Sequence, residues 1–217
     1  MSSGSWAVPE FTRGSVDRAG RVLVTDPDVV TARELSEAFT VINNWRSSHS
    51  FPLNTMQVGL RRMARRVDPD ALIAQRIKRI SSIEAKLIRF RRMNLSQMQD
   101  IGGCRAIVKD VKSIRSLVEA YRESDLKHKM LRLDDYLDAP KSSGYRGIHL
   151  IYRYFSDRTE TYNGLQIEIQ VRTPLQHSWA TAVETVAPRR FVWNPTSTIA
   201  GRRCAGEAQE PSRGCWS

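Results

Sequence analysis

The sequence predicts a mixed α/β fold, a partly antiparallel sheet flanked by helices, and three observations carry that prediction. Gly164 to Arg172 alternates strictly, with Leu165, Ile167, Ile169 and Val171 on one face of a strand and Gln166, Glu168, Gln170 and Arg172 on the other. From Cys104 onward, short apolar runs of strand character alternate with segments of helical spacing. The short Asp157 to Asn163 link between two such runs fits a hairpin, which makes those two strands antiparallel.

The elements follow in order. After a polar segment through residue 27, Asp28 to Trp45 reads as a helix, with Val30, Leu35, Phe39 and Ile42 at helical spacing, and Phe51-Pro52-Leu53 breaks it. A second helix is expected from Asn54 to Arg66. Its cluster Arg61, Arg62, Arg65 and Arg66 reads first as a solvated face and second as a nucleic-acid footprint. Ser81 and Glu84 have the spacing of a capping box and mark a helix start, with Ile83, Leu87 and Phe90 inward and Lys86, Arg89 and Arg92 outward. Free N–H groups and cations at such a start suit a phosphate, although capped basic helices are common.

Strands are then expected at Ala106 to Val108, Lys129 to Leu133, Ile148 to Tyr154 and Leu165 to Arg172, with helices at Val111 to Tyr121 and Pro174 to Glu184. One domain over 28–186 is therefore predicted. Beyond Val186 the chain turns rich in Arg, Pro and Gly, and 187–217 reads as a flexible tail.

Among 217 residues, Lys and Arg exceed Asp and Glu by a net +11, which calls for an anionic partner such as a nucleotide, a nucleic acid or a membrane surface. No apolar run is long enough to cross a bilayer, and no signal-peptide pattern opens the chain, so a cytoplasmic location is expected. Three widely spaced cysteines, Cys104, Cys204 and Cys215, support neither a disulfide framework nor a zinc site, and Cys104 reads as a small core residue.

Phosphoryl or pyrophosphoryl transfer needs a divalent metal held by carboxylates, cations along the phosphate chain, and a group to activate the attacking hydroxyl. Asp100, just before one strand, and Glu168, inside another, are the natural pair if those strands are neighbours. Arg76, Lys78, Lys86, Arg105 and Arg172 could grip phosphates, and Tyr145, between Gly144 and Arg146, could stack on a base. Each residue alone has a plainer reading: Asp100 as a turn residue before Gly102, His149 as a hydrogen-bonded core histidine, His177 and Trp179 as packing or surface residues.

In combination the blocks say more. R-x-K-x-x-x-S-x-x-x-K spans Arg76, Lys78, Ser82 and Lys86, and D-I-G-G-C-R spans Asp100 to Arg105. D-Y-x-x-x-P-K-x-x-G-Y-R-G-x-H then runs from Asp135 to His149, and E-I-Q-V-R-T from Glu168 to Thr173, followed by His177 and Trp179. Together they resemble the synthetase domain of the RelA/SpoT family, over about residues 30–186. The resemblance implies a nucleotidyltransferase-like sheet and transfer of the β,γ-pyrophosphate of ATP to a ribose 3′-hydroxyl, with release of AMP.

It implies Mg²⁺ on Asp100, with Glu168 as a second ligand or as the group that activates the hydroxyl. ATP phosphates would lie on Arg76, Lys78, Lys86 and Arg105, with Ser82 at the same helix start. Lys141, Tyr145 and His149 would form the acceptor loop, Tyr145 stacking on the base, supported by Gln170 and Arg172. With four histidines and no adjacent His-Asp pair, the family's hydrolase half is not expected, which leaves a small, synthesis-only member.

The segment from Asn43 to Asn54 resembles the toxic, often phage-borne branch. With the strong positive charge it favours the 3′ CCA end of tRNA as acceptor, and an antitoxin as partner. GDP or GTP, giving an alarmone, is the alternative acceptor, and a catalytically silent binding module is a lesser one. Family members continue after Val186 into further helices, which can cover the core or build a homo-oligomer. The basic tail seen here instead implies an enzyme that is impaired or dependent on a partner.

Overall fold

The computed structural model describes residues 5–186; the predicted tail, with Cys204 and Cys215, lies outside the described residues. Among the described residues, six α-helices and five strands follow in the order α1 (Arg13–Leu23), α2 (Ala32–Ser48), α3 (Ser50–Val67), β1 (Leu72–Ile77), α4 (Ile80–Arg89), β2 (Gly102–Ile107), α5 (Val111–Arg122), β3 (Lys129–Asp135), β4 (Ile148–Arg153), β5 (Gln166–Arg172) and α6 (Pro174–Val186). The sheet order is β1-β2-β5-β4-β3. Only β2 and β5 run parallel; the other pairs, including the β4–β5 hairpin, are antiparallel.

The strands alternate as the sequence demands. Cys104, Ala106, Leu150, Ile167, Ile169 and Val171 turn to one face, which is buried beneath α3 and α5 with Leu53, Leu60, Ile114 and Leu117. The opposite face presents Gly103, Arg105, His149, Glu168, Gln170 and Arg172. Burial of Cys104 pushes its thiol up to about 12, as expected for a core residue. A second cluster, with Val16, Ile42, Trp45, Ile83, Leu95 and Ile101, joins α1, α2 and α4.

The chain through α4 departs from expectation at five places. The polar opening segment contains α1, capped by Thr12 and packed through Val16, Ala19 and Leu23. Its apolar face, Val16, Ala19, Gly20 and Leu23, keeps helical spacing inside an otherwise polar segment, and a Cβ on Gly20 would stand 2.7 Å from Leu95, so a larger side chain there would push the helix away. Helix α2 starts at Ala32 rather than Asp28, because Thr31 and Glu34 close a capping box. The break between α2 and α3 falls at His49, and Phe51-Pro52-Leu53 lies in the first turn of α3, where proline has no helical N–H to lose.

The other two departures concern β1 and α4. The edge strand β1, with Leu72 exposed, gave no clear alternation. Helix α4 begins after Arg79 without a side-chain cap, so Ser81 and Glu84 fall inside the helix and form no box; Ile83 and Leu87 are buried, whereas Phe90 is exposed at the C-cap.

Candidate active site

The parallel pairing of β2 with β5 sets Gly103 opposite Glu168, so Asp100, in the turn just before β2, and Glu168, in mid-strand, face one cleft. The cleft is also lined by Gln75, Arg76, Arg105 and Gln170. Arg76 reaches it because β1 pairs antiparallel with β2, Arg76 opposite Gly103. Lys78 ends this edge, its backbone N–H donating to Ile101 O at 2.8 Å.

Both oxygens of Asp100 accept from ammonium groups: Lys78 Nζ at 2.8 Å on Oδ2 and Lys86 Nζ at 2.8 Å on Oδ1. Burial alone would push this carboxyl up, but the two lysines outweigh it and hold Asp100 below the usual carboxylate range. Asp100 is therefore an anion at neutral pH, and one cation beside it comes from the residue that follows β1 and the other from α4. Ser82 is exposed in the first turn of α4, about one turn before Lys86 on the same helix.

Around Glu168 the hydrogen bonds close into a ring. Arg172 Nε donates to the Tyr145 hydroxyl at 2.9 Å, and that hydroxyl meets His149 Nε2 at 2.5 Å. His149 Nδ1 lies 2.6 Å from Glu168 Oε1. On the other side, Arg172 Nη2 donates to Gln170 Oε1 at 2.8 Å, and Gln170 Nε2 donates to Glu168 Oε2 at 2.9 Å. Both paths run from Arg172 to Glu168, one through Tyr145 and His149 and the other through Gln170.

Glu168 is buried, which by itself would raise its pKa. The His149 contact and the Gln170 hydrogen bond more than offset that and leave it below the usual range, while the charge of Asp100 pushes the other way. The plain reading of His149 as a hydrogen-bonded core residue and its reading as a site residue thus meet in one side chain, which is 8% exposed and bonded within the site.

Tyr145 belongs to the loop between β3 and β4. Gly147, at φ +147°, lets that loop approach β5 where a Cβ would stand 3.1 Å from Arg172 Cγ and 3.2 Å from Val171 O. Arg172 also stacks its guanidinium 4.8 Å from the Tyr145 ring centre. Lys141 Nζ lies 4.2 Å from the Tyr136 ring centre and 5.0 Å from that of Tyr145, so two rings hold it at the mouth of the loop. The base of the loop is tied to α5 by Arg115, which forks to Asp135 and Asp138.

Tyr136 had no role in the sequence reading, although it stands in the same block as Lys141 and Tyr145. Its signal was the D-Y pair that opens that block. Arg105 Nη1 lies 3.1 Å from His177 Nδ1, so His177, on the first turn of α6, borders the cleft as well.

Among the described residues no group of three or more His, Cys, Asp or Glu forms a metal cage. The donor set nevertheless fits Mg²⁺, which is commonly held by one or two carboxylates together with substrate phosphates. Asp100 and Glu168 are the two carboxylates of the cleft, near enough for the charge of one to raise the pKa of the other.

The family described as "Region found in RelA / SpoT proteins" matches residues 75–187, more than half of the chain. The chain belongs to the RelA/SpoT family. Every residue of the ring lies inside that match, as does every residue of the cleft except Ala74. This RelA/SpoT chain is 31% identical over 111 residues to GTP pyrophosphokinase YwaC of Bacillus subtilis, covering 48% of this chain and 52% of that protein. It spans about half the length of the curated relatives it matches.

Among solved structures it resembles a GTP pyrophosphokinase family protein from Streptococcus pneumoniae, with 26% identity, a TM-score of 0.55, and coverage of 62% of this chain and 70% of that one. It also resembles small alarmone synthetase 1 from Bacillus subtilis bound to its product pppGpp, with 26% identity, a TM-score of 0.55, and coverage of 63% and 74%.

Of the two features that favoured the toxic branch, one makes internal contacts and the other is an exposed helix face. Within Asn43 to Asn54, Asn44 pairs with the backbone of Val8 and Glu10, Arg46 donates to Lys78 O, His49 is buried, and Phe51 packs on Tyr162. The arginines Arg61, Arg62, Arg65 and Arg66 lie on α3, which covers the sheet face opposite the cleft.

Proposed function

We propose that this chain transfers the β,γ-pyrophosphate of ATP to the 3′-hydroxyl of a guanosine nucleotide, GDP or GTP, and releases AMP. The observation that carries the reading is the meeting of Asp100 and Glu168 in one cleft with cations from three elements. The acceptor comes from the relatives: two are named GTP pyrophosphokinases, and a similar small alarmone synthetase is solved with pppGpp as its product. They favour the guanosine alternative over the tRNA 3′ end and lend no support to an antitoxin or a homo-oligomer. These substrates suit a cytoplasmic protein, and among the described residues no helix is long and apolar enough to cross a membrane.

In this reading Arg76, Lys78, Lys86 and Arg105 neutralise the triphosphate, and Ser82 sits at the start of the helix that carries Lys86. Lys78 and Lys86 turn from Asp100 to the phosphates when ATP arrives, which frees carboxylate oxygens for a cation. Mg²⁺, held by Asp100 and Glu168, would supply further charge neutralisation on the phosphates. Tyr145 offers its ring to the acceptor base, with Lys141 beside it. The acceptor 3′-oxygen bonds to the β-phosphorus as the bridge to the α-phosphate breaks, AMP carries off the bridging oxygen, and Glu168 takes the hydroxyl proton. Arg172 and Gln170 hold the ring that keeps Glu168 aimed and ionised.

The test is incubation of the purified chain with Mg²⁺ and γ-labelled ATP, in parallel with GDP, GTP and deacylated tRNA. Label in a guanosine nucleotide, lost in Asp100→Ala, is the expected result. Label confined to tRNA would reject the acceptor, and no label with any of them would reject the reaction.

A further inference from the structure

Residues 141–144 of the loop between β3 and β4 are all exposed, and the backbone bonds of this stretch are Gly144 N–H to Lys141 O at 2.8 Å and Lys141 N–H to Tyr145 O at 3.3 Å; the loop's ends are closed by Tyr136 N–H to Gly147 O at 2.9 Å and Ala139 N–H to Asp135 O at 3.2 Å. From outside, the indole of Trp179 on α6 reaches it. Trp179 Nε1 donates to Ser143 O at 3.4 Å. The ring lies so close over Gly144, which is at φ +76°, that a Cβ there would stand 3.3 Å from both Nε1 and Cζ2.

Core packing does not account for this indole. Trp179 is 51% exposed, and Leu175, one turn earlier on α6, is 80% exposed. An indole has one polar hydrogen, and here it points at a loop carbonyl. The helix that carries it is fixed to β5. Pro174 starts α6 directly after Arg172 and Thr173, and Thr173 and Gln176 cap it reciprocally: Thr173 N–H to Gln176 Oε1 at 3.0 Å and Gln176 N–H to Thr173 Oγ1 at 3.3 Å.

We propose that Trp179 is a positioning residue, a latch that clasps the loop carrying Lys141 and Tyr145 to α6. Because β5 and α6 are one capped, continuous piece, the latch sets the loop's distance from Glu168. That the latched loop receives the acceptor rests on the function proposed above; the latch itself does not.

The experiment compares the full chain with W179A and W179F. Limited trypsin digestion reports cutting after Lys141 and Arg146, by mass spectrometry, relative to cutting after Arg61 on α3. Steady-state transfer reports KM for the guanosine nucleotide and for ATP. W179A is expected to speed loop cutting about fivefold, the size set by one aromatic contact and one hydrogen bond. It should raise the acceptor KM by a similar factor while the ATP KM moves less than about twofold. W179F, which keeps a ring and loses the N–H, should fall between.

Unchanged loop cutting in a W179A that melts like the parent would overturn the latch, and an equal rise in both KM values would overturn the positioning role. If W179A fails to fold, W179F decides on the same two readouts. If the parent shows no transfer, loop cutting still judges the latch, and the functional reading fails separately.

Discussion

At the scale of single residues, the cleft depends on charges held in buried or half-buried places. Glu168→Gln and Asp100→Asn keep shape and remove charge; each should cut transfer by at least about a hundredfold, with the far-ultraviolet circular dichroism unchanged. Both carboxyls sit below their ordinary values of 4.5 and 3.8 in the fold, so their contribution to stability is complete above those values and is lost as pH falls through the lowered ones.

His49 works in a higher window. Burial lowers its imidazole from 6.5 to about 4, against the hydrogen bond to Trp45 O. Between those values the unfolded chain binds the extra proton, so stability falls as pH drops from 6.5 toward 4. Urea melts at pH 7 and pH 5 should show that fall, and His49→Gln, which cannot charge, should reduce it.

At the scale of elements, the joints matter more than the elements themselves. The Thr173–Gln176 box fixes α6 at the end of the strand that bears Glu168, Gln170 and Arg172. Gln176→Ala removes half of it and should cost about 1 kcal/mol, read as a lower melting temperature. The loop before β4 is joined to β5 through a hydroxyl: Tyr145→Phe keeps the ring and cuts the Arg172–Tyr145–His149 path. The expected result is a loss of about tenfold or more in turnover, with little change in the acceptor KM. A rise in KM alone would mean that the hydroxyl serves binding and not the alignment of Glu168.

At the scale of the whole molecule, two packed clusters meet along the sheet. One lies under β2, β4 and β5; the other joins α1, α2 and α4 and carries Ile101, the neighbour of Asp100. Ile42 is fully buried in the second, and Ile42→Ala should cost about 2–5 kcal/mol and lower the midpoint of the entire melt in one cooperative transition. Two separate transitions would show that the clusters fold independently. Such a loss should also loosen Asp100, because α4 presents Lys86 from that cluster.

The sequence by itself determined the alternating faces of β5, the helix after Pro174, the mixed sheet and the four blocks that hold nearly every cleft residue. Periodicity and local chemistry are properties of short segments, so they survive without a structure. What only the tertiary structure decided depends on contacts far apart in the chain. The parallel register of β2 on β5 makes a pair of Asp100 and Glu168, and the ring joins two separate segments, Tyr145 to His149 and Glu168 to Arg172.

The same holds where the sequence misled. Helix α1 was hidden because its few apolar residues, Val16, Ala19 and Leu23, lie in a polar segment and find their partners only in the fold, and the capping signal at Ser81 gave way to a start after Arg79, with Ile83 and Leu87 buried. The arginines of α3 were legible as charge, but a sheet face is a tertiary property, and α3 covers the one that turns away from the cleft.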